Sequence, residues 1–158
     1  MGVDSYFLVF FADKSITLQR AFAACLRLHP SMKRGGDGFS IKIPNAKTTI
    51  GCGLNDKSWV IAEAREASER YGKPALAACD RRFEVVIENL DDAFQDYNTM
   101  FAVQEYLADL TKGWVILAWN GALLLEPEPT PKAKPRKKAK VRARKRKVRR
   151  RRPAASRE

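Results

Sequence analysis

Tyr6-Phe7-Leu8-Val9-Phe10-Phe11-Ala12 is apolar at every position and built largely of aromatic and branched side chains. A strand with one face in water alternates apolar and polar residues, whereas a strand covered on both faces does not. The run therefore predicts a central, buried strand. It is too short to cross a bilayer, follows Asp4 rather than a basic run, and leads directly into Asp13-Lys14-Ser15, so it reads as neither a signal peptide nor a spanning helix.

Outward from this strand, Ser15 or Asp13 is placed to cap a helix whose apolar face is Leu18, Phe22, Cys25 and Leu28, closed by Pro30. Gly35-Gly36-Asp37-Gly38 predicts a flexible link to the alternating strand Phe39-Ser-Ile-Lys-Ile43. Pro44 to Lys47 then turns the chain into Thr48-Thr-Ile-Gly-Cys52. Neither this glycine run nor Gly51-Cys52-Gly53 has the Gly-Lys-Ser/Thr or the strand-to-helix setting of a phosphate loop. Asp56 or Ser58 opens a helix from about Trp59 to Tyr71, with Gly72 at its C-cap and Pro74 beyond. Ala75 to Cys79 connects to a strand at Phe83-Glu-Val-Val-Ile-Glu88.

Asn89, Asp91 and Asp92 suit the first turn of the longest helix, Asp92 to about Thr111. It carries two apolar rows, Phe94, Tyr97, Phe101 and Ala108 beside Met100, Val103, Leu107 and Leu110, and so is either deeply buried or half core and half interface. Trp114 to Trp119 and Ala122 to Leu125 flank Asn120-Gly121, a strong hairpin signal. The order β-α-β-β-α-β-α-β-β predicts one α/β (α+β) domain over residues 1–125. Its sheet is mixed or antiparallel and its two to three helices lie mainly on one face, a ferredoxin-like arrangement being one candidate.

Charge divides the chain differently. Pro131 to Glu158 holds 16 of the 30 Lys and Arg residues and one of the 18 acids, a net side-chain charge of +15. Met1 to Thr130 keeps 14 basic residues against 17 acidic ones, a net −3. Residues 126–135, with Pro127, Pro129, Pro131 and Pro135, read as an extended linker. Residues 136–158 have almost nothing apolar to bury and are expected to be disordered when free. Phosphate backbone is the natural counter-charge, because each cation that neutralises a phosphate releases counterions. The candidate DNA- or RNA-binding residues are Lys132, Lys134, Arg136, Lys137, Lys138, Lys140, Arg142, Arg144, Lys145, Arg146, Lys147, Arg149, Arg150, Arg151 and Arg152. No aromatic follows Trp119, so this segment cannot stack bases, and Val141 and Val148 are too little for membrane insertion.

Catalytic signatures are missing from the pattern. Cys25, Cys52 and Cys79 are widely spaced, and with His29 they have no zinc-ligand spacing. Structural thiols in a reducing compartment are the expectation, with no cofactor or metal. Asp91, Asp92, Asp96, Tyr97, Glu105 and Asp109 are candidate contacts to a protein partner, and Asn98, Gln104 and Asn120 are amides that tie helix to sheet or rim a recognition surface. The resulting expectation is a non-catalytic, intracellular, nucleic-acid-associated protein, in the cytoplasm or nucleoid, or in the nucleus of a nucleated cell. The tail holds phosphate and the domain binds a protein partner or itself. The alternative is a small inhibitor or immunity-type protein whose domain blocks a target, with the tail as a localisation element.

Overall fold

The computed structural model describes residues 5–26 and 32–129. Leu28 and Pro30, expected to complete and close the first helix, His29, and the basic segment with its expected disorder lie outside the described residues. The elements run β1 (Tyr6–Phe11), α1 (Leu18–Leu26), β2 (Lys33–Gly35), β3 (Gly38–Lys42), β4 (Thr49–Asn55), α2 (Trp59–Tyr71), β5 (Arg81–Ile87), α3 (Leu90–Ala93), α4 (Tyr97–Thr111), β6 (Trp114–Leu117) and β7 (Leu123–Leu125). Short 3-10 turns at Pro74–Ala78 and Phe94–Asp96 join α2 to β5 and α3 to α4.

The seven strands form one antiparallel sheet in the order β2-β3-β4-β5-β1-β6-β7. The central position expected for β1 is observed: Val9 lies opposite Phe83 on one side and Val115 on the other. This all-antiparallel, seven-strand order is not the ferredoxin-like one.

The unbroken apolar run of β1 has two causes. Phe7, Val9 and Phe11 point into the main core with Ile50, Cys52, Phe83, Val85, Val115 and Leu117, under Ala21 and Cys25 of α1 and Met100, Val103 and Leu107 of α4. Phe10, with Leu8 packed alongside, points the other way, onto Trp114, Ile116, Val60, Ala64, Ala67, Leu76 and Cys79. Each Phe buried in this way contributes about 1.5–3 kcal/mol. Helices thus cover both faces, not mainly one. The small Val60, Ala64 and Ala67 let α2 lie close to the second face. That helix ends as expected at Gly72, which adopts a left-handed φ of 63°.

Other elements depart from the simple pattern for local reasons. Thr17, rather than Ser15 or Asp13, caps α1, its hydroxyl accepting the Arg20 N–H at 3.2 Å. Asp13 instead closes a turn by accepting the Ser15 N–H at 2.8 Å. The glycine run is the turn of a β2–β3 hairpin, with Gly36 at φ 55°. The long helix is interrupted where Asp96 leaves helical geometry (φ −124°, ψ 61°) and its carboxylate accepts both the N–H and the hydroxyl of Thr99. Such a side chain satisfies backbone donors as a cap, and here it starts α4 after the 3-10 turn.

Candidate interaction surface

Two rows of α4 have similar hydropathy but different fates. Met100, Val103 and Leu107 are buried, whereas Tyr97 is 47% exposed and Phe94, in the turn just before the helix, is 44% exposed. Tyr97 and Phe101, one turn apart on α4, and Phe94, just before the break at Asp96, present a strip of aromatic rings. Tyr97 stacks on Phe101 with centroids 5.9 Å apart and planes 15° apart, and Phe94 meets Trp119, just past β6, edge-on at 6.1 Å. Rings held in this way present apolar area at little entropic cost, the property of aromatic anchors at protein interfaces.

Acids stand beside the strip. Asp91 is exposed and Asp92 is half-buried in the first turn of α3, where Asn89 Oδ1 accepts the Asp92 N–H at 3.1 Å. Both oxygens of Asp96 are engaged by Thr99, and Oδ2 also accepts a long 3.5 Å bond from Asn45. Asp96 therefore serves as a cap, leaving Asp91 and Asp92 as the freer charges. Glu105 and Asp109 do not join this group. They lie about 14 and 20 Å farther along the helix and line a groove with Lys112, Trp114 and residues 126–129. There the Lys73 ammonium bonds Glu126 at 2.7 Å and holds the departing chain against the domain.

The three amides also separate. Asn98 is exposed, and Asn120 accepts the Ala122 N–H at 3.0 Å within the hairpin turn. Gln104 is buried, and neither polar atom of its amide has a partner among the described residues.

Sequence reasoning missed a buried ionic cluster on β5. Arg82, 6% exposed, has its guanidinium 4.9 Å from the Trp59 ring centre and 5.4 Å from that of Phe10. It donates to Glu84 Oε1 from Nε at 3.0 Å and Nη2 at 2.7 Å, and to Glu63 of α2 from Nη1. Asn55 donates to the same Glu84 oxygen at 2.8 Å. The cluster pins the start of α2 to the sheet. The only hint in sequence is the Arg82-x-Glu84 spacing, which puts both side chains on one strand face.

The thiols are set up to pack rather than react. Burial pushes Cys25 up to about 11 and Cys79 up to about 12 from 9.0, and raises Cys52 still further. All three are free and protonated at neutral pH, whereas nucleophilic cysteines are lowered toward thiolate. Among the described residues, no group of three or more His, Cys, Asp or Glu is placed to hold a metal ion, and no helix is long and apolar enough to cross a membrane. The chain matches no family model, no curated protein and no solved structure.

Proposed function

We propose that this protein is a nucleic-acid-associated adaptor: the basic C-terminal segment holds DNA or RNA by its phosphates, and the folded domain carries a protein partner through the aromatic strip of Phe94, Tyr97 and Phe101. The carrying observation is the partition of charge, +15 in the last 28 residues against −3 in the rest. A polycation engaging six to ten phosphates loses roughly a thousandfold or more in affinity between about 50 and 200 mM salt. Among the described residues, every strand and helix lies before Pro129. A chain ending there should keep its fold and lose nearly all binding to duplex DNA or RNA, as read by a salt titration of gel shift or fluorescence anisotropy. Retained affinity in the shortened chain would overturn the assignment of binding to the tail.

A second reading has its own support. Asp91 and Asp92 beside exposed Phe94 and Tyr97 suit an inhibitor or immunity-type domain that covers a basic target, since charge complementarity speeds and orients such association. Affinity capture with the shortened chain separates the two. A basic partner whose own activity is blocked on capture, and which Asp91→Lys with Asp92→Lys releases, favours inhibition; a captured partner that stays active and is indifferent to these acids favours the adaptor.

A further inference from the structure

The second face of the sheet is covered only in part. α2 and the Pro74–Ala78 turn bury the side chains of β1, β6 and β7 and reach β5 through Arg82, whereas the same face of β2, β3 and β4 has no layer above it among the described residues. The register defines this bare face. One cross-strand row is Lys33, Ser40, Gly51 and Val86; the next is Gly35, Gly38, Gly53 and Glu84; and Lys42, Thr49 and Glu88 lie at the other end. Val86 is 57% exposed in the midst of it. A β-carbon built on Gly51 or Gly53 would touch nothing closer than 3.8 Å, so monomer packing does not demand these glycines, and they leave the backbone open from above.

We infer that this face is an isologous dimer interface, its occupant a second copy of the same face. The reason is how charge and shape are distributed across the four strands. The base Lys33 lies on β2, at one margin, and the acids Glu84 and Glu88 lie on or just beyond β5, at the other, with Val86 between the acids. A two-fold axis along the strands, between β3 and β4, lays β5 of each copy over β2 of the other and Gly51 over Ser40. Each Lys33 then rests its stem on Val86 of the second copy with its ammonium between that copy's Glu84 and Glu88. Both carboxylates keep an oxygen for it: the Arg82 and Asn55 bonds all fall on Oε1 of Glu84, and Thr49 donates to Oε2 of Glu88. The α2 layer of each copy falls outside the partner's β2 edge, so it bounds the contact without blocking it. Packed sheets cross at about 30° and lie about 10 Å apart, and flat glycine and serine positions permit a closer approach.

The contact is four strands wide and about five residues long, roughly 15 Å by 17 Å or about 250 Å² per copy, well under the ~800 Å² per partner of a standard interface, so the dimer is weak and transient. Sedimentation velocity of the full chain, freed of nucleic acid and in about 0.3 M salt to screen the tails, should show reversible dimers over roughly 1–300 µM protein. Val86→Lys should abolish dimerisation, and Lys33→Glu should weaken it at least tenfold by setting a third acid between two. Lys33→Glu combined with Glu88→Lys should recover most of the loss. All three positions are exposed, so unchanged circular dichroism and melting are expected. A parent that stays monomeric throughout, dimers indifferent to Val86→Lys, or no recovery in the charge-swapped variant would each overturn the proposal.

Discussion

Replacing Arg82 with Met tests whether the cluster on β5 holds the second layer of the domain together. The two donors to Glu84 make a charge-assisted contact worth about 1.5–3 kcal/mol. The rings of Trp59 and Phe10 add about 1 kcal/mol between them. Glu63, its side chain 45% exposed, adds less than about 1 kcal/mol. Methionine recovers part of the total by filling the same volume, and Glu84, 38% exposed, recovers some hydration. The net expectation is a loss of about 2 kcal/mol, or a fall in melting temperature of roughly 6–10 °C for a domain of this size. Urea unfolding followed by circular dichroism gives the number, and a cycle with Glu84→Gln should show about 1–2 kcal/mol of coupling. Binding to nucleic acid should not change. Buried ion pairs are sometimes replaced by apolar residues at no cost. A methionine variant within about 0.5 kcal/mol of the parent, with no coupling to Glu84, would therefore refute the idea that the ionic contacts fasten α2.

Gln104→Leu should raise stability by about 1 kcal/mol, because it removes a buried amide without partners among the described residues; a lower urea midpoint would mean that the amide is satisfied. Cys25 and Cys79, raised by burial to about 11 and about 12, favour the fold only while protonated. Their contribution is complete below about pH 9, the unfolded value, and is lost as pH rises through 9 toward 11 and 12, so unfolding midpoints should fall between about pH 9 and 11, less steeply in a Cys25→Ala/Cys79→Ala variant. Replacing Arg149 to Arg152 with Lys should weaken nucleic-acid binding only modestly, whereas Ala should weaken it strongly and flatten the salt slope. A Lys variant as defective as the Ala variant would point to bidentate docking on a defined groove.

Much of the fold was legible because it rests on local signals. The apolar run at Tyr6 marked the central strand, Asn120-Gly121 marked the last hairpin, and Gly72 marked the end of α2. β2 was not legible, since Lys33-Arg34-Gly35 has no apolar residue and becomes a strand only by pairing with Phe39 and its neighbours. The second covered face was implicit in Leu8, Phe10, Trp114 and Ile116, yet the small residues of α2 that match them carry a weak signal. At the candidate surface, the aromatic row at 94, 97 and 101 was visible from spacing. Which row of α4 faces water was not, because Met100, Val103 and Leu107 are as apolar as the exposed row. The Arg82 cluster joins residues separated by up to 72 positions, beyond the reach of any local pattern.

The central place of β1 also governs when this chain can fold. Its neighbours are β5 and β6, whose paired residues lie about 70 to 110 positions away in sequence, so one edge of the first strand waits for residues 81–87 and the other for residues 114–117. Contacts so distant carry a large loop-closure cost and slow the search for the native pairing. The apolar segment Tyr6 to Phe11 therefore leaves the ribosome more than a hundred residues ahead of its last partner, Trp114 to Leu117. Polybasic residues 132–152 leave the ribosome only after β6 and β7, so the segment proposed to hold phosphate emerges once every described strand of the sheet has been synthesised.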